Sequence, residues 1–239
     1  SGESSLTLGS FETIDWYASQ NFSNNNNSFY VNINRFKSEN NFEYLEEKPV
    51  NSPQKPATES RKNNAVDNKS ILTKGHYQLN KSMRLDAAAQ RQKNHREITS
   101  KINTSTNNAY LEQDTSRLQT ALSYASSIGD SQIKLVKQQS EELYDDERSK
   151  VGLGSQYNVY TTSKNGISAK HELQLEDFSV IISSAYEQEQ VKTDFPHDEI
   201  PPDNCAAGGK CTTDFTRTAK HLGSRFNVLV NQDISLMLQ

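Results

Sequence analysis

The sequence has few apolar residues. Hydrophobic side chains make up 33% of its 239 residues, and the mean hydropathy is −0.85. Globular domains usually contain about 45–50% apolar residues, a figure that also counts glycine. A single thick hydrophobic core is therefore not expected. An elongated or assembly-dependent shape fits better, because thin shapes bury little apolar surface on their own.

Long hydrophobic runs and basic clusters are also absent. No run of about 18 apolar residues occurs, which excludes a transmembrane helix. The formal net charge is −4, the isoelectric point is near 5.8, and the basic residues do not gather on one stretch. This charge pattern argues against nucleic acid as the main partner.

Only two cysteines are present, Cys205 and Cys211, and the loop between them contains two glycines that allow it to close. A disulfide between them would indicate an oxidising compartment. The alternative is two free thiols in a surface loop. A zinc site at this pair is not expected, because structural zinc sites need four ligands.

Catalytic and metal-binding patterns are lacking as well. The five histidines are scattered, with no pair spaced four residues apart. The Gly152-x-Gly154 pattern lacks the third glycine and the preceding apolar strand of a nucleotide loop. The acidic residues at 194–203 could offer oxygen ligands to a cation, but a solvated loop is the favoured interpretation. The sequence therefore predicts a protein that is not an enzyme and has no cofactor and no metal site.

What is present begins with alternating strands in residues 1–70. Period-two alternation is the sequence signal of a β-strand. The prolines at 49, 53 and 56 indicate an irregular connection, and disorder over 37–70 is an alternative. The residues that alternate onto one face are Leu6, Leu8, Ile14, Trp16 and Ala18 in the first stretch, and Phe29, Val31 and Ile33 in the second.

Residues 77–150 contain no proline and one glycine, Gly129. Leu111, Leu118 and Ala125 lie seven residues apart, as do Leu122, Gly129, Val136 and Leu143. A seven-residue apolar repeat is typical of supercoiled helices. This stretch is therefore predicted to be a long helix, with an ordinary amphipathic helix as the plainer alternative.

Residues 156–190 support two interpretations. Ile167, His171, Leu175, Phe178 and Ile182 follow a helical period, whereas the Asn165-Gly166 pair suggests a hairpin turn between two strands. Near the C-terminus the sequence alternates again, which predicts two strands joined by a turn at 231–233. Their apolar residues are Phe226, Val228 and Val230 in the first, and Ile234, Leu236 and Leu238 in the second.

Residues 148–155 resemble the R-x-x-V-G-L-G-S turn of the TolC-like outer-membrane efflux proteins, which joins two long helices at their periplasmic tip. Asn108–Leu111 and Asn158–Tyr160 resemble stretches of the same family on the incoming and outgoing helices. The likeness covers about residues 70–190 and one structural repeat, where family members usually carry two. The resemblance implies that the tip binds a partner through Arg148, Val151, Gly152, Leu153, Gly154 and Ser155. The alternative is that Val151 and Leu153 only hold the two helices together.

The resemblance implies an α+β fold that is mostly α, built on a long antiparallel helical hairpin of the α-barrel type. Residues 1–70 would form a β-strand and loop region that could contribute to a barrel. Residues 71–193 would form the hairpin, with its tip at 151–155. Residues 194–239 would form a C-terminal loop and strands.

The resemblance also implies a function in transport. The chain would be one subunit of an oligomeric channel for efflux or type I secretion, in the outer membrane and periplasm of a Gram-negative bacterium. Its partners would be further copies of itself, a periplasmic adaptor protein, an inner-membrane pump and outer-membrane lipid.

Two further expectations concern the tip and the function. Asp145 and Asp146, repeated around a symmetric tube, would form an acidic ring that lines a pore and favours cations. The alternative function is a non-enzymatic structural or interaction protein that uses the same hairpin, such as a phage-tail or secretion-apparatus ring component. A pilin-like subunit is a further alternative, and it requires residues 156–190 to be β-strand.

Overall fold

A computed structural model describes residues 1–46, 57–99, 108–146, 151, 156–174, 178–195, 211–231 and 234–238. Every helix or strand in these residues is a β-strand. The thirteen strands are β1 Gly2–Gly9, β2 Thr13–Ser23, β3 Asn27–Ser38, β4 Glu43–Glu46, β5 Ala57–Ser60, β6 Val66–Gln78, β7 Met83–Glu97, β8 Tyr110–Ser126, β9 Gly129–Asp146, β10 Gln156–Gln174, β11 Phe178–Phe195, β12 Cys211–Asn231 and β13 Ile234–Leu238.

Eleven of these strands form one antiparallel sheet in the order β1-β2-β3-β6-β7-β8-β9-β10-β11-β12-β13. Each strand of the large sheet pairs with the next one along the chain, so the sheet is a continuous meander. Strands β4 and β5 pair with each other in a separate small sheet between β3 and β6. The large sheet crosses both predicted domain boundaries, since β6 contains residue 70 and β11 contains residue 193.

The expected mostly-α fold and helical hairpin are wrong. Residues 110–146, predicted to be a long helix, form the strands β8 and β9. The seven-residue repeat misleads here because seven is odd, so Leu111 and Leu118 point to opposite faces of one strand. The repeat therefore marks no common surface in the folded chain.

Residues 156–174 and 178–195 are also strands, β10 and β11, which pair along almost their full length. The helical interpretation fails because steps of four residues keep the same parity and suit a strand as well as a helix. The predicted hairpin at Asn165-Gly166 is wrong too, since β10 runs through both residues. The antiparallel pairing instead joins β10, which ends at Gln174, with β11, which begins at Phe178.

The structure explains why residue 129 is a glycine, which the helical interpretation does not. It begins β9 directly after the turn at 127–128, with φ at 145°, a conformation that is essentially restricted to glycine. A Cβ atom at this position would collide with the backbone carbonyl of Glu172 on β10. The turn between β8 and β9 and the approach of β10 therefore both require glycine.

The strand predictions at the two ends of the chain are confirmed. In β1 and β2, Leu6 pairs with Trp16 and Leu8 with Ile14, so these residues share one face as expected. At the other end β12 pairs with β13, and Phe226 lies opposite Leu238. The predicted turn at 231–233 includes residues 232–233, which lie outside the described part of the chain.

The connections at the two ends of the sheet differ in length. At one end, called the short-turn end, adjacent strands are joined by two to four residues, at 24–26, 79–82, 127–128, 175–177 and 232–233. At the opposite end, called the long-connection end, the links are 10–12, 39–65, 98–109, 147–155 and 196–210. All six prolines fall in the second group, where they remove no hydrogen bond from the sheet.

The described parts of the long-connection end are tied together by polar and aromatic contacts. The side-chain amide of Asn63 donates hydrogen bonds to the carbonyl oxygens of Ile98, at 2.7 Å, and Ala109, at 2.9 Å. The ring of Phe42 lies 6.2 Å from that of Phe11. The link between β3 and β6 is therefore attached both to the link between β7 and β8 and to the first turn.

The large sheet is a single layer with almost no buried core. Among the residues whose burial the structure describes, the only buried side chains are Ser38, Ala109, Ala121 and Asp146. Most strand residues on both faces are half-buried or exposed. No helix in the described part of the chain is long and apolar enough to cross a membrane. The low apolar content of the sequence is therefore explained by a single-layer sheet that encloses almost no hydrophobic core.

Candidate functional site: the two faces of the large sheet

The register assigns every strand residue of the large sheet to one of two faces, because directly paired residues on neighbouring strands lie on the same side. The face that carries Phe29 of β3 and Ile71 of β6 is called the apolar face, and the other the polar face. Nearly all exposed large hydrophobic side chains on the strands of the large sheet lie on the apolar face. The two exceptions are Phe36 and Phe215.

The apolar side chains form a continuous band next to the short-turn end, called the belt. On β11 the belt runs from Phe178 to Tyr186, and Leu222 beside it on β12 is 85% exposed. No described element covers these side chains. The other large members of the belt are Phe22, Phe29, Val31, Ile33, Ile71, Tyr77, Leu85, Leu118, Leu122, Tyr124, Ile133, Leu135, Ile167, Leu173, Val180, Ile182 and Phe226.

Aromatic residues concentrate at the edge of the belt nearest the short turns. Phe22 and Phe29 stack with ring centroids 6.5 Å apart across the turn at 24–26. Tyr77, Tyr124 and Phe178 occupy the corresponding strand ends at the other short turns, and each is roughly half exposed. Amphipathic aromatic rings at a belt edge are typical of the boundary between membrane and water.

On β3 and on β6 to β12, charged and polar residues replace apolar ones on the same face beyond the belt, towards the long connections. Strands β1 and β2 instead carry Leu6, Leu8, Ile14 and Trp16 there. The boundary lies between Ile33 and Arg35 on β3 and between Leu222 and Lys220 on β12. It runs obliquely to the pairing rows, since Ile71 pairs directly with Arg91. An oblique boundary means that the strands are tilted relative to the belt, as they are in a barrel wall.

Ion pairs join neighbouring strands in this charged zone. Arg35 makes a bidentate contact with Asp67, at 2.9 and 2.8 Å, and its guanidinium lowers the pKa of that carboxyl. Arg91 contacts Asp114 in the same way, at 3.1 and 2.8 Å, and lowers its pKa. Bidentate arginine–carboxylate pairs are the strongest of the surface ion pairs. They strengthen the sheet where it is surrounded by water.

Tyr110 lies at the far end of this zone, at the start of β8. Burial, followed by repulsion from the carboxylate of Asp145, raises the pKa of Tyr110 to about 12. Its ring also lies 5.1 Å from that of His95. The phenol therefore stays neutral and packed at every physiological pH.

The polar face carries hydrogen-bonded and charged side chains both at the level of the belt and beyond it. Lys164 contacts Glu187 at 2.9 Å, and Arg217 contacts Glu189 at 2.6 Å. Nearer the short turns, Asp86 accepts hydrogen bonds from Arg84 and pairs with His76, both at 2.9 Å. Among the described residues no group of three potential metal ligands is close enough to hold an ion. This face is suited to water and polar ligands.

Asp145 and Asp146, the expected pore-lining residues, lie at the last two positions of β9, at the long-connection end. Asp145 is paired with Tyr110 and Tyr157. Asp146 is 2% exposed, and its carboxylate accepts a hydrogen bond from the backbone nitrogen of Val151 at 3.0 Å. A role of Asp145 and Asp146 in lining a pore stays a prediction.

The other predicted site residues lie mostly outside the described part. Val151 is described, and it lies exposed in the link between β9 and β10 rather than at a helical tip. Cys211 begins β12, and its strand neighbour is Phe195. The disulfide with Cys205 therefore stays a prediction. The residues outside the described part are Arg148, Gly152, Leu153, Gly154, Ser155 and Cys205.

No protein family and no curated protein is matched by the sequence. The structure does resemble solved structures. Two variants of the ferric enterobactin receptor PfeA from Pseudomonas aeruginosa superpose with TM-scores of 0.66 and 0.65, at 14% and 13% identity. The large sheet has the fold of part of that receptor. The match covers 99% of this chain and 38% of each receptor chain.

These findings overturn the TolC-like resemblance and the efflux or type I secretion channel that it implied. The alternative functions built on the same helical hairpin are wrong for the same reason. The homo-oligomer, the adaptor protein and the pump were implied by that resemblance, and they lose this support with it.

The belt was largely missed by the sequence analysis, although a signal for it exists. Leu118, Leu122 and Tyr124 alternate with polar residues along β8, and Ile133 and Leu135 do so along β9. Counting matches to a period of two beside the period of seven would have detected both strands.

Proposed function

We propose that this chain forms part of the wall of a β-barrel receptor in the outer membrane of a Gram-negative bacterium. The apolar face contacts lipid, and the polar face lines the interior. The observation that carries this proposal is the belt, in which most of the exposed large apolar side chains of a single-layer sheet gather on one face. A closed barrel is the form in which strands cross a membrane with every backbone group paired.

The strand lengths support a membrane crossing. About 9–11 tilted residues span the hydrocarbon layer, and the belt on β11 extends over such a length, from Phe178 to Tyr186. Strand β10 has 19 residues and β12 has 21, so they continue past the belt into the charged zone. The wall therefore projects into water on the side of the long connections.

The two kinds of connection give the orientation. Outer-membrane barrels have short periplasmic turns and longer extracellular loops. The short-turn end therefore faces the periplasm, and the links at 39–65, 98–109, 147–155 and 196–210 face the outside. Strands β1 and β13 each pair on one side only within the described residues, so further strands of the whole protein complete the wall.

Labelling of single cysteines tests this orientation. The native cysteines are replaced by serine in the whole protein that carries this chain, and one new cysteine is added at a time. Asn41→Cys and Val151→Cys lie in long connections, whereas Lys81→Cys and Ser127→Cys lie in short turns. A membrane-impermeant maleimide should label the first two variants in intact cells, and the other two only after the outer membrane is opened.

The proposal would be contradicted if all four variants were labelled equally in intact cells, or if no variant were labelled until the cells were lysed. Each variant is its own control, because labelling after detergent extraction shows that the thiol is reactive.

The ligand class is supported by the likeness to a ferric enterobactin receptor, and we propose an iron chelate. A Gram-negative host that lacks its own chelate receptors should regain uptake of radiolabelled ferric enterobactin when it produces the whole protein. Correct labelling without uptake of any ferric chelate would leave the membrane wall in place and reject this ligand class.

A further inference from the structure

Three cations lie side by side on the apolar face just beyond the belt. Arg35 on β3 pairs directly with Lys69 on β6, which pairs directly with Lys93 on β7. Like charges directly opposite each other on neighbouring strands destabilise a sheet. Strand pairing by itself therefore does not explain why three cations lie next to each other here.

The same three strand segments carry uncharged residues on the polar face. Asn34, Ser70 and Gln92 form the adjacent row there, again in direct register. The next row towards the long connections contains Asn68 opposite Asn94. The positive charge is thus restricted to the face that carries the belt, which indicates that its partner lies on that side.

Carboxylates of the chain neutralise this row only in part. Arg35 and Lys69 share Asp67, at 2.8 and 3.2 Å. Lys93 contacts Glu112 at 2.5 Å, and His95 contacts the same carboxylate at 3.5 Å. The side chains of Arg35, Lys69 and Lys93 remain 39%, 52% and 47% exposed. Each of the three side chains therefore still has N–H groups exposed to solvent that can donate hydrogen bonds to a further anion.

The row lies at the level expected for lipid headgroups. Arg35 follows the belt residue Ile33 by two positions, and Lys69 precedes Ile71 by two. Two strand residues span about 6.6 Å. The polar layer of a bilayer is roughly 5–8 Å thick on each side of the hydrocarbon. In the proposed orientation this is the layer that faces the outside.

We propose that the row of Arg35, Lys69 and Lys93 binds the phosphate groups of an anionic lipid in the outer leaflet. Arginine donates two parallel hydrogen bonds to a phosphate, and lysine supplies a compact charge that attracts it. Basic residues next to a membrane segment attract anionic headgroups in the same way. This inference rests on the proposed lipid contact of the belt.

The test uses the whole protein reconstituted in phosphatidylcholine bilayers with a minor fraction of phosphatidic acid, which carries a phosphomonoester. Mass spectrometry counts the lipids that stay with the protein after extraction. The wild type should retain phosphatidic acid in excess of its share in the bilayer. The triple variant Arg35→Gln, Lys69→Gln, Lys93→Gln should lower that enrichment about tenfold, because each cation near a headgroup adds to the attraction.

The matched control removes three charges from the polar face, as Lys74→Gln, Lys134→Gln and Lys170→Gln, and should keep the wild-type enrichment. A wild type that inserts in bilayers but shows no preference for phosphatidic acid would overturn the inference and leave the proposed function standing. Equal losses in both triple variants would overturn it as well. A wild type that does not insert in these bilayers would reject the proposed function together with this inference.

Discussion

Replacing Ile182 by arginine should destabilise the folded protein in a lipid bilayer by about 2–4 kcal/mol, the cost of a cation at the midplane of a barrel's lipid face. Ile182 lies halfway along the belt segment of β11, between Phe178 and Tyr186, and its side chain is 47% exposed with no described element over it. If the belt contacts lipid, the guanidinium has to enter hydrocarbon. Reversible unfolding in urea with lipid vesicles present measures the change in free energy.

The adjacent residue supplies the control. Ser183 is also exposed and lies on the polar face, so Ser183→Arg adds the same side chain towards the interior. Its cost should stay within about 0.5 kcal/mol, as for most surface substitutions. Equal effects of the two substitutions would show that neither face contacts lipid.

Gly129→Ala should destabilise the sheet by about 3 kcal/mol, since it combines a strained backbone with an overpacked contact. The φ of 145° at Gly129 is unfavourable for alanine, and the new methyl group would collide with the carbonyl oxygen of Glu172. Both the β8–β9 turn and the pairing of β10 would have to shift. Unfolding of the purified variant in urea, or a lower yield of folded protein, measures the effect.

Gly75→Ala is the matched control for Gly129→Ala. Gly75 lies within β6, and a Cβ atom there would meet nothing within 4 Å. This substitution should be neutral or stabilise by up to about 1 kcal/mol, because it restricts the unfolded chain. A Gly129→Ala variant as stable as Gly75→Ala would contradict the described turn.

Parts of this fold were accessible from the sequence. The alternation of Leu6, Leu8, Ile14 and Trp16 is visible because one side of each strand is apolar and the other polar, and the structure confirms it. Low apolar content correctly excluded a thick core. Both features depend only on the local order of residues, so no knowledge of distant contacts was needed.

The central strands were mispredicted for a physical reason. Good helix formers such as Leu, Ala, Gln, Glu and Lys dominate β8 and β9, and intrinsic propensity is a weak prior that tertiary pairing overrides. The absence of proline over 77–150 suits a central strand as well as a helix, since both need every backbone N–H. Local composition therefore could not separate the two structures.

The motif at 148–155 misled because glycine-containing links join strands as well as helices. Val151 lies in the link between two strands. A short motif gains meaning only with its flanking elements, and these flanking elements are strands.

By itself the sequence determined a thin, polar architecture with alternating strands at both ends, because these properties follow from composition and local period. Only the tertiary structure decided that β8, β9, β10 and β11 are strands and that their apolar residues join into one belt. The physical reason is register. Ile71, Leu118 and Ile167 share a face only once hydrogen bonds between neighbouring strands align them, and no local pattern specifies that alignment.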